Sequence, residues 1–424
     1  MTIHSKIRDI VTHASTNVPY YWEIFKKMGW DKNTELDVDL FRQIPLLDRS
    51  TVSKNSQDFL AENMKKEQLI RNYTSGSTGT PLMLYKDKRE VFVADLLLWN
   101  TRKRFVPNIA SLPMLRFYLK RSVKDGFISD PYYFDDRGVN MSLLHLDRQT
   151  FDDCWSEINK RGINELWIFG SPSAMLKISQ FYRDSSYQGK PAVKYIELAS
   201  EVVFPDQQQF IRQTFGCPVM NQYGSAEFWG IAYECESGNL HLYDKHIFLE
   251  IVDADGSVLS DGREGEIIVT GLDNYAMPFI RYRIGDTGKI RRSNCACGNH
   301  SDILELTGGR VTDYILTQNG QSVNSILIYY IVSEINLKKR LIHQFRATQI
   351  SLDEFIVQLS LTDKSEQQKV EDIFRELMCK HLGASVNVRF ECKDDISGDQ
   401  KAGKFKYFDS QIKKANDKYV LNGN

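Results

Sequence analysis

The chain has 424 residues, 42% of them hydrophobic and 26% charged, with a formal net charge of -1. This length predicts two or three domains. The near balance of 54 basic and 55 acidic residues argues against a nucleic-acid partner, because polyanion binding needs surplus positive charge. No stretch reaches the roughly 18 apolar residues of a membrane span, and the first residues lack a signal peptide's apolar run. We therefore expect a cytoplasmic protein without a membrane span.

The first distinctive segment is RNYTSGSTGTPLMLYK, residues 71–86. Its glycines remove Cβ bulk and its hydroxyls add donors, so the loop can wrap closely around phosphate oxygens. It is not a Walker A loop, because no Gly-Lys-Ser/Thr follows. A flexible linker is the alternative, although linkers rarely run straight into an apolar strand such as LMLYK. The candidate phosphate-binding residues are Thr74, Ser75, Gly76, Ser77, Thr78 and Gly79.

The middle of the chain alternates predicted strands and helices. Residues 163–184 read as a buried strand, a Gly-Ser-Pro turn and a helix, and 193–227 repeat the order strand, helix, strand. Such alternation predicts an α/β fold with mixed or parallel sheets, whose strand-end loops carry the chemistry. Residues 239–292 instead alternate apolar and polar side chains between Asp-Gly turns, which predicts a β-hairpin subdomain.

The last hundred residues predict a small α+β domain. A helical segment at 366–383 lies between two strand-like segments. We place the boundary at Thr312 and Asp313, which gives a core over 1–312 and a small domain over 313–424.

The cysteine pattern suggests a metal. Seven cysteines, an odd number, argue against a disulfide framework. Cys235 and His241, with Cys295 and Cys297, supply three sulfurs and one imidazole, a set suited to a closed tetrahedral structural Zn²⁺. His246 and His300 are spare candidates if His241 is not the fourth ligand, and the alternative is four incidental residues with the cysteines as free thiols.

The loop segment YTSGSTGTP resembles the phosphate-binding loop of the acyl-adenylate-forming superfamily, which includes acyl- and aryl-CoA ligases, nonribosomal adenylation domains and luciferases. The closest resemblance is to the phenylacetate-CoA ligase-like branch, which includes adenylating proteins from capsule polysaccharide loci. In that family the loop holds the β- and γ-phosphates of ATP.

A second motif follows in the family's order. NQYGSAE (221–227) resembles the segment whose aromatic residue, here Tyr223, lies against adenine and whose glutamate, here Glu227, binds the Mg²⁺ of ATP. Gly224 and Ser225 lie between them and are further nucleotide-binding candidates. A plain strand-end turn is the alternative interpretation.

Two later motifs concern the ribose. YRIGDTG resembles the segment whose aspartate, here Asp286, accepts hydrogen bonds from the ribose hydroxyls. GGRVTD resembles the hinge motif, in which Arg310 also reaches the ribose. The family usually has an acidic residue where this chain has Thr312, so the hinge pair Thr312–Asp313 departs from the pattern.

The final motif is DQKAGKFKYF (399–408), which resembles the terminal segment with the adenylation lysine, here Lys404. A solvated basic tail is the alternative. Many members carry another lysine directly after the loop proline, where this chain has Leu82. Lys86 lies four residues further on, so the loop is expected to hold phosphates with neutral donors and Mg²⁺.

The resemblance also points to residues at two strand ends. Ser171, Ser200 and Glu201 fall where the family builds its substrate and adenine pockets, with an ordinary turn or helix cap as the alternative. Aromatic residues near this place favour an aryl or otherwise apolar acid: Phe169, Phe228 and Trp229.

The function implied by the resemblance is ATP-dependent activation of a small carboxylic acid as an acyl-adenylate, followed by transfer to the thiol of CoA. The implied cofactors are ATP, Mg²⁺, CoA and a structural Zn²⁺, residues 1–312 would be the AMP-binding core, and 313–424 a mobile lid. One alternative is an amine acceptor, which gives an amide, and a second is a nucleotide-binding protein without turnover. A homodimer is a further expectation.

Overall fold

The computed structural model describes most of the chain. The described residues are 5–30, 35–73, 82–118, 121–123, 126–128, 130–184, 191–310, 314–319, 322–336, 339, 341–383, 385–394, 396 and 407–412. Among them, no helix combines the length and the hydropathy needed to cross a membrane.

Ten α-helices lie in the described part of the chain. They are α1 (Ser5–Asn17), α2 (Pro19–Lys27), α3 (Val38–Arg42), α4 (Arg49–Lys54), α5 (Lys88–Phe105), α6 (Arg148–Lys160), α7 (Pro172–Asp184), α8 (Pro205–Phe215), α9 (Ile326–Asn336) and α10 (Gln367–Leu382). Short 3₁₀ turns occur at Lys66–Gln68, Ile109–Ser111, Leu143–His145 and Lys364–Glu366.

The same part of the chain has 22 strands. The first eleven are β1 (Ile70–Tyr73), β2 (Met83–Lys86), β3 (Met114–Tyr118), β4 (Arg121–Val123), β5 (Gly126–Ile128), β6 (Tyr132–Asp135), β7 (Gly138–Ser142), β8 (Glu165–Gly170), β9 (Ala192–Leu198), β10 (Val219–Ser225) and β11 (Trp229–Glu234). The others are β12 (Leu240–Leu242), β13 (Ile247–Val252), β14 (Gly265–Gly271), β15 (Tyr282–Arg291), β16 (Ile303–Arg310), β17 (Tyr314–Leu316), β18 (Ser322–Asn324), β19 (Ile342–Gln349), β20 (Glu354–Leu361), β21 (Asn387–Cys392) and β22 (Phe408–Ser410).

Several helices begin at an aspartate for a local reason. Asp48, Asp87 and Asp147 each precede a helix, and each side chain accepts a hydrogen bond from the backbone N–H three residues later. This bond satisfies one of the amides that a first helical turn leaves without a partner. Asp87 is the first residue after β2, so the sequence changes directly from strand to helix α5 there.

A twelve-stranded mixed sheet organises most of the chain, in the order β13-β14-β15-β16-β12-β11-β10-β9-β8-β3-β7-β6. Five neighbours, β10, β9, β8, β3 and β7, run parallel. The hairpin strands β13 and β14 pair antiparallel, as the Asp-Gly pattern predicts. The predicted α/β class with a β-hairpin region and a smaller C-terminal α/β region is confirmed.

The parallel strands are buried because they are apolar on both faces. On β8, Leu166, Trp167 and Ile168 are almost fully buried. Leu166 and Ile168 pack with helix residues such as Phe151 and Trp155, whereas Trp167 packs in a second cluster on the side of α5. Helices covering both faces explain why this part of the sequence shows continuous apolar runs.

Two compact units divide the chain. The first contains residues 1–252, 256–284 and 289–305, and the second contains 253–255, 285–288 and 306–424. In the second unit, β19, β20, β21 and β22 form a four-stranded sheet in the order β21-β20-β19-β22. Helix α10 lies between β20 and β21 in the chain, as the sequence predicts. The functional boundary at Thr312–Asp313 stays a prediction.

Candidate active site

The carboxyl ends of the parallel strands bring several predicted residues to one edge of the sheet. Ser171 follows β8, Ser200 and Glu201 follow β9, and Tyr223 lies near the end of β10. Polar residues at this edge occupy the usual ligand position of an open α/β sheet. Ser200 has a positive φ of 74°, a conformation that costs energy for a residue with a Cβ and often marks a functional loop.

Glu201 makes contacts that belong to a helix start. Its carboxylate accepts hydrogen bonds from the backbone N–H of Ser173 (3.0 Å) and from the Ser173 hydroxyl (2.8 Å). Ser171 Oγ accepts from the backbone N–H of Ala174 at 3.3 Å. These bonds cap α7, which was the alternative interpretation of both residues. Nucleotide or substrate contacts by Ser171, Ser200 and Glu201 stay a prediction.

The Glu227 motif forms a tight hairpin. Ser225 pairs with Trp229, so the loop between β10 and β11 contains only three residues, 226–228. Trp229, the first residue of β11, has a φ of 60°, a left-handed conformation that glycine adopts more readily than a residue with a Cβ. A Cβ at Gly224 would lie 1.9 Å from the carbonyl oxygen of Trp229, so only glycine fits there. The two strands approach each other closely and fix the turn that carries Glu227.

The Glu227 carboxylate is held by two side chains. The Tyr282 hydroxyl donates a hydrogen bond to Oε1 at 3.2 Å, and Arg49 Nη1 lies 3.4 Å from the same atom. Burial, together with the negative charge of Glu227, raises the pKa of Tyr282 far above its usual value, so the phenol keeps its proton. A buried carboxylate of fixed orientation is a suitable oxygen ligand for the Mg²⁺ of a nucleotide.

The backbone of the same turn is held by two further residues. Lys86 Nζ donates to the carbonyl oxygen of Glu227 at 2.8 Å and to Glu90 Oε1 at 2.5 Å. His246 Nε2 donates to the carbonyl oxygen of Phe228 at 2.9 Å, and its Nδ1 lies 3.1 Å from Asp273 Oδ2. His246 was a spare zinc candidate only in case His241 is not the fourth ligand; both of its ring nitrogens have other partners, and it lies outside the Cys/His cluster.

The predicted metal ligands meet in the first unit. One ligand atom from each of Cys235, His241, Cys295 and Cys297 lies within 4.8 Å of every other. The Cys235 and Cys295 sulfurs are 3.7 Å apart, and Cys297 Sγ is 3.4 Å from His241 Nε2. His300 is exposed and lies outside this cluster.

The hydrogen bonds around the cluster suit metal binding. His241 Nδ1 donates to the Ser301 carbonyl oxygen at 2.8 Å, which leaves the Nε2 lone pair facing the sulfurs. A hydrogen bond from the backbone N–H of Cys297 lowers the pKa of Cys295 to about 5, whereas burial raises the pKa of Cys235 to about 11. The four residues therefore fit a tetrahedral Zn²⁺ of the Cys₃His type.

Other predicted residues are placed only in part. Asp286 lies on β15, and Arg310 is the last residue of β16, although its side chain is outside the described residues. The phosphate loop 74–81, the hinge pair and Lys404 also lie outside them. Strands β1 and β2, which flank the loop, pair antiparallel with Tyr73 opposite Met83, so the predicted strand after the loop is present.

Four residues at this site were not predicted as site residues. Tyr282 and Arg49 contact the Glu227 carboxylate, and Lys86 and His246 hold its turn. Tyr282 is the first residue of the YRIGDTG motif, so a signal for it was present. For Arg49 and His246, no local pattern separates them from ordinary surface or core residues.

Comparisons with known proteins show what the chain is similar to. A family model described as the CapK C-terminal domain matches residues 315–411. The chain is 20% identical to the protein CapK of Staphylococcus aureus over 413 residues, covering 93% of this chain and 85% of that protein. It is 28% identical to the phenylacetate-coenzyme A ligase of Pseudomonas putida over 325 residues, covering 72% of each chain.

Solved structures of similar fold include a 2-hydroxyisobutyryl-CoA ligase in the postadenylation state. That structure matches with a TM-score of 0.72 at 14% identity, covering 95% of this chain and 88% of the other. The acyl acid amido synthetase GH3.15 matches with a TM-score of 0.60 at 12% identity, covering 94% and 89%. At these identities the likeness to solved structures shows the fold alone. By sequence, the chain is similar over most of its length to CapK and to a phenylacetate-coenzyme A ligase, and its fold is similar to that of a CoA ligase solved in the postadenylation state.

Proposed function

We propose that the protein is an AMP-forming ligase that activates a small carboxylic acid. In the first step an oxygen of the acid attacks the α-phosphorus of ATP, the bond to the bridging oxygen of the β-phosphate breaks, and pyrophosphate leaves. The observation that carries this proposal is the buried, doubly held carboxylate of Glu227 on a fixed turn beside the sheet edge. Phosphoryl chemistry of this kind needs positioning and charge stabilisation more than covalent help.

Each site residue has a part in this proposal. Glu227 would hold Mg²⁺, which neutralises the charge of the phosphates when bound. Tyr223, Gly224 and Ser225 would contact the nucleotide, with Tyr223 against adenine. Asp286 and Arg310 would contact the ribose. The hydroxyls and amides of residues 74–79 would hold the phosphates, and Lys404 would bring a positive charge to the reacting oxygens.

The first test is pyrophosphate release over a panel of carboxylic acids, with aryl and other apolar acids included because of Phe169, Phe228 and Trp229. Buried or partly buried aromatic side chains at this place favour such acids. We expect release above background with at least one acid. Tight ATP binding without release for any acid would instead favour a nucleotide-binding protein that does not turn over.

For the second step we propose transfer to the thiol of CoA. The sulfur would attack the acyl carbon, and the bond to the AMP oxygen would break. The relatives named phenylacetate-coenzyme A ligase support this acceptor. An amine acceptor is the second candidate, because GH3.15 is named an acyl acid amido synthetase. Mass spectrometry of reactions that contain CoA and simple amines side by side distinguishes a thioester from an amide, and a cytoplasmic location would supply ATP and CoA.

We also propose that the Cys₃His cluster holds a structural Zn²⁺. The four ligand atoms lie within 4.8 Å of one another, and all four tetrahedral positions would be filled by protein. The metal would then join the β11–β12 turn to the loop before β16. Metal analysis of chelator-washed protein should find close to one zinc per chain, and less than about a third of an equivalent would count against the site.

A further inference from the structure

We infer that Lys86 and His246 are positioning residues that set the orientation of Glu227 toward a metal–nucleotide complex by holding two consecutive carbonyl groups of its turn. Lys86 Nζ donates to the carbonyl oxygen of Glu227, and His246 Nε2 donates to that of Phe228. This inference rests on the proposed role of Glu227. It adds two residues that lie outside the motifs on which the family resemblance rests.

The turn needs support from outside because its own conformation is unfavourable. Trp229 has a positive φ of 60°, a left-handed conformation that is unfavourable for a residue with a Cβ. The hydroxyl of Ser225 and the indole N–H of Trp229 are buried without a hydrogen-bond partner among the described residues. Such a conformation persists only where the surrounding structure holds it in place.

Lys86 is buried and fixed in a position from which it can hold this turn. Its side chain is 0% exposed, and it pairs with Glu90, which is 1% exposed. A buried ion pair is a weak source of stability, so the burial of both charges indicates a positional task. Its Nζ atom also lies 5.6 Å from the centre of the Trp229 ring. Lys86 therefore contacts both ends of the strained segment, the Glu227 carbonyl and the Trp229 side chain.

The position of Lys86 in the chain connects the turn with the predicted phosphate loop. Lys86 is the last residue of β2, the strand that follows residues 74–81, and Glu90 lies in the first turn of α5. The hydrogen bond between Lys86 and Glu227 joins segments 141 residues apart. The turn that holds the metal ligand and the strand that leaves the phosphate loop are thereby fixed to each other.

His246 provides the second support and is itself fixed. Nε2 must carry a hydrogen, because the carbonyl oxygen of Phe228 can only accept. Asp273 faces Nδ1 at 3.1 Å and also pairs with Lys6 at 2.9 Å. The ring is 2% exposed, so solvent cannot replace these partners. The two carbonyls are thus held from β2 on one side and from the start of β13 on the other.

The test measures metal–nucleotide binding, with Mn²⁺ replacing Mg²⁺ because it prefers the same oxygen ligands. Binding of Mn²⁺ to the ATP-loaded protein is followed by electron paramagnetic resonance of free Mn²⁺. The variant Lys86→Met/Glu90→Gln removes the clamp without leaving a lone buried charge. We expect its Mn²⁺ dissociation constant to rise about tenfold or more, as when a partner that orients a metal ligand is lost.

A matched control lies at the other end of the same helix. Arg102→Met/Glu197→Gln removes another buried ion pair, 2.6 Å in length, that contacts nothing in the Glu227 turn. This variant should lose stability but keep the Mn²⁺ affinity of the wild type. Equal affinity in a folded Lys86→Met/Glu90→Gln variant, or an equal loss in both double variants, would overturn the inference.

If the Lys86→Met/Glu90→Gln variant does not fold, two variants of His246 test the inference. His246→Gln keeps an N–H donor for the Phe228 carbonyl oxygen, whereas His246→Met has none. The inference predicts weaker Mn²⁺ binding in the methionine variant and recovery in the glutamine variant, and equal binding in both would contradict it. If the wild type binds Mn²⁺ and ATP but activates no acid, the proposed function fails and the positioning role stands. If the wild type binds no ATP, both fail.

Discussion

At the scale of single residues, the site depends on the side chains and backbone groups that fix the orientation of the Glu227 carboxylate. Glu227 is 8% exposed and contacts Tyr282 and Arg49. A side chain that is already fixed loses little conformational entropy when it binds a metal, because most of that entropy is lost when the protein folds. Arg49 lies close enough to compete with a cation, and metal binding is expected to weaken its contact with Oε1.

The first prediction concerns Glu227→Gln. The amide keeps a hydrogen-bond acceptor for Tyr282 but loses the negative charge, so the fold should persist while acid-dependent ATP–pyrophosphate exchange falls by about a hundredfold or more. Glu305→Gln is the control, since Glu305 on β16 forms ion pairs with Lys289 and Arg291 on β15. Exchange near the wild-type rate in a folded Glu227→Gln protein would remove Glu227 from the mechanism.

Gly224 gives a prediction about stability. A Cβ there would meet the backbone of Trp229 at 1.9 Å, and backbone cannot move aside as a side-chain tip can. Gly224→Ala should lower the free energy of unfolding by about 2–3 kcal/mol in urea titrations. Gly271→Ala, whose Cβ would meet only the Phe228 ring at 3.3 Å, should cost less. An equal cost for both would show that the close approach at Gly224 is relieved elsewhere.

The motif residues of the candidate site are easier to find in the sequence than the residues that hold them in place. The motif around Glu227 is contiguous, so its glycine and its turn can be predicted from the local sequence. Lys86, in contrast, reads as the polar end of an apolar strand, and its hydrogen bond to a carbonyl oxygen 141 residues away depends on the tertiary fold. His246 reads equally well as a zinc ligand or as a core residue. Only the fold decides that it lies against Phe228 and Asp273.

At the scale of elements, the Cys/His cluster lies on short β-strands and loops. These segments make few β-ladder hydrogen bonds. β12 contains three residues, and the loop with Cys295 and Cys297 lies between β15 and β16. His241 on β12 pairs with Tyr233 on one side and with Ile303 on the other. A metal that joins these segments would add the stabilisation that so few ladder hydrogen bonds do not provide. The four positions are visible in the sequence because Cys-x5-His and Cys-x-Cys are local patterns, whereas their meeting is a property of the sheet.

The prediction for this element concerns metal removal. Cys297→Ser should lower both the zinc content and the melting temperature. The melting temperature should fall by about 4 °C or more if the site contributes over 1–2 kcal/mol to the free energy of unfolding. Cys379→Ser is the control, because Cys379 lies on α10, away from the cluster. A full equivalent of zinc in the Cys297→Ser protein, or an unchanged melting temperature after chelation, would contradict a structural metal.

At the scale of the whole molecule, the proposed catalytic groups lie far apart in the sequence. Glu227 belongs to the first compact unit, whereas Lys404 lies near the end of the segment 315–411 that matches the CapK C-terminal domain model. The strand and helix order of the second unit follows from local periodicity, so it was predictable. A mobile lid was not derivable from any such pattern and rests on the family resemblance.

The prediction at this scale is that Lys404→Ala loses most acid-dependent exchange, because the chain has no lysine directly after the predicted phosphate loop to replace its charge. Lys401→Ala, three residues earlier, should keep it. Near wild-type exchange in Lys404→Ala would remove the lysine from the first step and leave the basic-tail interpretation.

The central claim is tested most directly by ATP–pyrophosphate exchange in the absence of CoA and of any amine. Reversible adenylate formation needs only ATP, Mg²⁺ and the acid, so labelled pyrophosphate should enter ATP when the right carboxylic acid is present and should not when it is omitted. Glu227→Gln should lower the signal by about a hundredfold or more. Exchange that is independent of acid, or none with any acid in a protein that binds ATP, would contradict an acyl-adenylate-forming ligase.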